Sequence, residues 1–124
     1  METKIVRILL VEDDTFIREM LQEELERVGF QVRSFERGND CLAVIQSELF
    51  DLVLLDIMLP DTNGLEILRK IKNNPVTKNN KVVLLTNLGN DALIKEGTEL
   101  GAVGYLVKAS YNPDQIVEHI KSFL

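Results

Sequence analysis

Tryptophan is absent from the 124-residue sequence, and cysteine and histidine occur once each, at Cys41 and His119. A lone cysteine excludes an internal disulfide and any multi-cysteine metal site, and a lone histidine excludes a paired-histidine zinc centre. Positive charge is also scarce: 14 Lys and Arg face 20 Asp and Glu, giving a formal net charge of −6 and an isoelectric point near 4.8. Such a surface has no general attraction for phosphate backbones or anionic membranes, so neither nucleic acid nor a membrane is expected as a direct partner. Apolar runs such as Leu52–Leu55 fall far short of the roughly 20 residues of a membrane span. Met1–Arg7 lacks the apolar core of a signal peptide. What is present, 45% hydrophobic and 27% charged residues, fills one core and excludes disorder. A single cytoplasmic domain over residues 1–124 is the expectation.

Three runs rich in Val, Ile and Leu, at Ile5–Val11, Leu52–Leu55 and Val82–Leu85, are continuous rather than alternating, which predicts strands covered on both faces. Gln31–Phe35 and Val103–Val107 are two weaker strands. Helical spacing fills the intervals. Ile17, Met20, Leu21, Leu25 and Val28 form a stripe ended by Gly29, and Cys41, Leu42, Ile45 and Leu49 form a second. Leu65, Leu68 and Ile71 precede the stop Asn73-Asn74-Pro75, and Leu93, Ile94 and Leu100 precede Gly101. In the last helix Asn112 can cap, Pro113 suits the first turn, and Ile116, Val117, Ile120 and Leu124 face inward. Strict alternation of five strands and five helices predicts an α/β, doubly wound parallel sheet with right-handed crossovers. The common order for five strands, 2-1-3-4-5, opens a crevice at the carboxyl ends of strands 1 and 3.

Polar residues gather at that edge. Strand 1 runs into Glu12-Asp13-Asp14, strand 3 ends at Asp56, strand 4 at Thr86 and strand 5 at Lys108. Neighbouring strands lie about 5 Å apart, and a close pair of like charges repels by about 4 kcal/mol at an effective dielectric near 20. A cation among the oxygens relieves that crowding, and an oxygen-only, open site suits Mg²⁺. With the Lys108 ammonium and the Thr86 hydroxyl at hand for an anion's oxygens, the edge suggests phosphoryl binding beside a metal, with one carboxylate as nucleophile.

Two segments, Ile8-Leu9-Leu10-Val11-Glu12-Asp13-Asp14 and Asp51-Leu52-Val53-Leu54-Leu55-Asp56-Ile57-Met58-Leu59-Pro60-Asp61-Thr62-Asn63-Gly64, resemble the receiver domain of bacterial two-component response regulators. Val83-Leu84-Leu85-Thr86 and Gly101-Ala102-Val103-Gly104-Tyr105-Leu106-Val107-Lys108 follow in the same order, so the resemblance spans nearly the whole chain. It implies a flavodoxin-like (βα)5 fold in which Asp56 accepts a phosphoryl group from a histidine kinase phosphohistidine, or from a phosphotransfer protein. It further implies that Asp13 holds Mg²⁺ directly, that Glu12 assists through water, and that the backbone carbonyl of Met58 is another metal ligand. Thr86 and Lys108 would contact the phosphoryl oxygens, and Tyr105 would be the aromatic that follows Thr86 when the switch is thrown. The output surface would be helix 4, strand 5 and helix 5, engaging a downstream effector protein, an output domain outside the sequence, or a second copy in a phosphorylation-dependent homodimer.

Several residues carry plainer readings. Asp14 is expected to cap the first helix, Gly64 to meet a backbone requirement, Tyr105 to lie partly in the core, His119 to be solvated and Cys41 to be buried. A haloacid-dehalogenase-like phosphatase, the enzymatic alternative, needs a second Asp two residues after the nucleophile, where this chain has Met58. A flavin-binding module would need a Ser-, Thr- and Gly-rich loop after strand 1, which is acidic here. The chain also departs from the receiver pattern. Asn87 stands where a small residue is usual, and Ala109 replaces the proline after the lysine. A non-proline cis bond costs about 3–4 kcal/mol, so Lys108–Ala109 is expected either trans with a shifted loop or cis under strain.

Met58 and Leu88 are apolar at the two positions that flank the phosphoryl group in receivers, and neither side chain can guide an attacking water. A phosphorylated Asp56 is therefore expected to hydrolyse slowly. Loss of label followed by intact mass in Mg²⁺, without a phosphatase, checks this; a lifetime of seconds is the contrary result.

Overall fold

The computed structural model describes residues 4–87 and 91–124. Strand β1 (Arg7–Val11) leads to helix α1 (Thr15–Arg27), β2 (Gln31–Phe35), α2 (Gly38–Ser47), β3 (Leu52–Asp56) and α3 (Gly64–Asn73). Then come β4 (Val82–Thr86), α4 (Asp91–Glu99), β5 (Gly104–Val107), a short 3₁₀ turn (Lys108–Ser110) and α5 (Pro113–Ser122). All strand pairs are parallel, in the order β2-β1-β3-β4-β5. The expected doubly wound sheet is the one observed.

Continuous apolar strands divide their side chains between two cores because successive residues point to opposite faces. Leu9, Val11, Val53, Leu55, Val82 and Leu84 pack with Cys41, Ile45, Leu68 and Ile71, so α2 and α3 cover that face. Ile8, Leu10, Leu52, Leu54, Val83 and Leu85 pack with Leu21, Leu25, Ile116, Val117 and Ile120 of α1 and α5 on the other. Local signals end the helices as their chemistry requires. Gly29 and Gly101 take φ of 98° and 108°, a backbone that other residues rarely adopt. Asn112 and Gln115 cap α5 reciprocally, with Pro113 in its first turn.

Some boundaries move. Ile5 and Val103 are 55% and 48% exposed, and the strands begin at Arg7 and Gly104, where backbone pairing begins. Leu49 continues the helical spacing of α2, but that helix ends at Ser47 and Leu49 is 88% exposed. Val28 and Leu124 are likewise exposed rather than inward, as each falls past the last residue of its helix.

The loop from β3 to α3 is tied down at both ends. Asp61 accepts from the backbone amides of Gly38 and Asn39, both at 2.9 Å, and so caps α2 from a distant part of the chain. These amides hold the Asp61 carboxyl below its ordinary value against the opposing effect of burial. Gly64 is needed for a different reason from the two positive-φ glycines: a Cβ there would stand 2.1 Å from the Asp56 carbonyl oxygen. Overpacking of this kind costs about 1–3 kcal/mol, so Gly64→Ala is expected to lose at least that much, read as a lowered urea midpoint. A midpoint equal to wild type would contradict the close approach.

Candidate metal and phosphoryl site

Register brings the sequence-distant acids together. Val11 pairs with Leu55, so the residues that follow, Glu12 and Asp56, leave adjacent strands at the same edge. One carboxylate oxygen from each of Glu12, Asp13 and Asp56 lies within 4.8 Å of the others. Glu12 and Asp56 are buried, and Asp13 is exposed at the mouth. Lys108 enters from the end of β5 and bridges the buried pair: its Nζ is 2.8 Å from Asp56 Oδ2 and 2.6 Å from Glu12 Oε1. The contact to Glu12 is ionic and off the hydrogen-bond direction, which leaves Oε1 buried without a directional donor among the described residues.

Each acid has a distinct local setting. Asp56 Oδ1 accepts from the Met58 amide at 3.0 Å, the turn that carries the chain out of β3. Met58 itself forms an isolated antiparallel bridge with Asn63, and its side chain is 59% exposed. Glu12 Oε2 accepts weakly from the Asp14 amide at 3.2 Å. Asp14 turns away and caps α1, accepting from Ile17 N at 3.0 Å, as expected of it. Burial, reinforced by Asp56, pushes the Glu12 carboxyl up to about 8 against the opposing pull of Lys108. Burial would lower the Lys108 ammonium, but its bonds to Asp56 and Glu12 outweigh that and raise it.

Thr86, at the end of β4, is buried and donates its hydroxyl to the Asn87 carbonyl at 3.1 Å; Asn87 is exposed. Tyr105 is 48% exposed instead of partly in the core, because β5 is an edge strand. Leu88 lies outside the described residues. Described peptide bonds are all trans, so the Lys108–Ala109 bond is trans and continues into the 3₁₀ turn. His119 is exposed, with its ring centroid 4.3 Å from that of Tyr111, and Cys41 is buried.

Two contributors escaped the sequence reading. Asp61 has no local signature, since its partners lie more than 20 residues away. Arg18 donates through Nη1 to the carbonyls of Glu12 at 2.9 Å and Asp13 at 3.3 Å. A signal for Arg18 existed: a cation in the first turn of a helix opposes the helix dipole and needs some other anchor.

The chemistry of the donor set fits a hard divalent cation. Three carboxylates converge, one buried oxygen lacks a directional donor, and a single ammonium offsets them only in part. A profile of the response regulator receiver domain family matches residues 8–121. The transcriptional regulatory protein GltR of Pseudomonas aeruginosa is 40% identical over 117 residues, covering 94% of this chain and 48% of GltR. The sporulation initiation phosphotransferase F of Bacillus subtilis is 34% identical over 118 residues, covering 95% of this chain and 93% of that protein. Among solved structures, the chemotaxis response regulator CheY4 of Vibrio cholerae aligns with a TM-score of 0.90 at 27% identity, over 98% of this chain and 100% of that one. The chain thus spans about half the length of the transcriptional regulators it matches and nearly all of the sporulation phosphotransferase.

Glu12 carries a pH signature. A carboxyl whose folded pKa lies above its ordinary 4.5 binds its proton more tightly when folded. Its contribution to stability is complete below about pH 4.5 and is lost as pH rises through about 8. Metal-free protein in chelator is expected to melt at lower temperature as pH rises from about 5 to about 8, and Glu12→Gln should remove most of that slope. A wild-type melting temperature that climbs over this interval is the contrary result.

Proposed function

The chain belongs to the response regulator receiver domain family of two-component signalling, and from that membership we propose that Asp56 is its phosphoacceptor, served by Mg²⁺. The reading is carried by one observation: Lys108 bridges two buried carboxylates from adjacent strand ends, with Asp13 within reach of both. Glu12, Asp13, Asp56 and the backbone carbonyl of Met58 would hold the metal, Glu12 through water. Bound there, Mg²⁺ supplies charge neutralisation for an anionic carboxylate meeting an anionic phosphoryl donor.

The remaining steps belong to the chain's own groups. The Met58 amide on Oδ1 and Lys108 on Oδ2 fix the carboxylate plane. An Asp56 oxygen attacks phosphorus, the new P–O bond forms as the P–N bond to the donor histidine breaks, and the leaving nitrogen keeps the bonding pair and takes up a proton. Lys108 then follows the charge from Asp56 to a phosphoryl oxygen, and the Thr86 hydroxyl donates to another. Movement of Thr86 changes the packing available to Tyr105 and to the α4–β5–α5 face, shifting a two-state equilibrium.

The donor is a histidine kinase or a phosphotransfer protein, and the readout is a downstream effector, an attached output domain or a second copy. The chain catalyses only the loading and unloading of its own aspartate; Met58, two residues after Asp56, denies the second acid that an aspartate-dependent phosphatase uses. No helix among the described residues is long and apolar enough to cross a membrane, and a cytoplasmic setting completes the reading.

Incubation with acetyl phosphate and Mg²⁺, followed by intact mass, is expected to show a single phosphoryl adduct that Asp56→Asn abolishes. No adduct on wild type, an adduct retained in the variant, or repeated turnover of a phosphate ester would overturn the assignment.

A further inference from the structure

We propose that Arg18 is a positioning residue for the acidic site: its guanidinium grips the main chain of the β1–α1 loop and so aims Glu12 and Asp13 at the place where a divalent cation sits. The proposal deepens the metal-assisted reading of Asp56 and rests on it. Nη1 lies 2.9 Å from the Glu12 carbonyl and 3.3 Å from the Asp13 carbonyl, and Nη2 reaches Thr15 Oγ1 at 3.5 Å. The two Nη1 bonds run to backbone oxygens, and among the described residues Arg18 forms no ion pair with a carboxylate. Its charge is therefore spent on loop conformation, in a helical first turn where the dipole disfavours a cation.

The geometry explains why a loop crowded with Glu12, Asp13 and Asp14 turns its first two acids toward Asp56. Side-chain repulsion favours splaying these residues apart; two consecutive carbonyls held on one guanidinium nitrogen fix the peptide planes between them. Asp14 leaves the group to cap α1, held at the same turn. Arginine suits the task because its planar fork presents several donors in fixed directions, whereas a lysine ammonium is a flexible point charge.

Positioning and bulk electrostatics predict opposite signs. A cation beside a metal site repels the metal, so if Arg18 acted through charge alone its removal would tighten Mg²⁺ binding. If it positions the ligands, removal weakens binding, as loss of outer-shell partners of metal ligands does by about 10–100-fold.

The test is a MgCl₂ titration of wild type, Arg18→Gln and Arg18→Lys, followed by backbone amide chemical shifts, with metal-free melting temperatures measured alongside. Both variants are expected to bind Mg²⁺ about tenfold more weakly, while their metal-free melting temperatures stay near wild type. Equal or tighter binding by Arg18→Gln overturns the proposal, as does full recovery in Arg18→Lys, which would reduce the residue to its charge. A fall in melting temperature with unchanged Kd also overturns it, in favour of a purely structural role. Absence of any saturable Mg²⁺ response in wild type would instead remove the metal-assisted reading of Asp56, and the Arg18 proposal with it.

Discussion

Two carboxylates buried side by side at the ends of neighbouring strands are a constraint that the surrounding structure has to answer. Glu12 and Asp56 sit out of water because β1 and β3 pair in register and both strands are covered on each face. Their repulsion would be worth about 4 kcal/mol at a separation of about 4 Å and an effective dielectric near 20. Lys108 answers it by contacting both: burial and Asp56 push the Glu12 carboxyl up, Lys108 pulls it back in part, and the Lys108 ammonium is itself raised by the two acids. With Asp13 added, the balance stays negative. The edge is stable enough to exist and still short of positive charge.

Around that edge the main chain is pinned by interactions that leave the reactive oxygens alone. Gly64 lets the β3–α3 loop lie against the Asp56 carbonyl, Asp61 fastens the same loop to α2, and Asp14 and Arg18 fasten the acidic loop to α1. All of these contacts lie on the β1 and β3 side. Across the sheet, Thr86 and Tyr105 lie on β4 and the edge strand β5, and Tyr105 meets solvent.

Much of this was legible in the residues. Unbroken apolar strands with helical stripes between them point to a parallel sheet covered on both faces, and Leu52–Leu55 and Val82–Leu85 are buried as that arrangement requires. The abrupt polar ends of those runs located Glu12, Asp56, Thr86 and Lys108. Element ends were less readable: periodicity continues through Leu49 and Leu124 after the backbone has left the helix, and composition carries no mark of where hydrogen bonding stops. Asp61 and Arg18 act through backbone amides and carbonyls, groups that every residue shares, so nothing in side-chain pattern identifies their partners. The exposure of Tyr105 depends on β5 lying at the sheet's edge, a property of strand order and not of the segment itself.

The parallel sheet also has a bearing on how the molecule assembles. No pair of its strands can meet through a tight hairpin; even the nearest registers join Val83 to Gly104 and Arg7 to Gln31. Every ladder closes over an intervening helix, and the β1–β3 ladder closes over β2 and two helices. Such long-range closure slows the search relative to a helical bundle of equal size. The crevice that gathers the acids draws on the ends of β1, β3 and β5 and so needs all three strands in the one sheet.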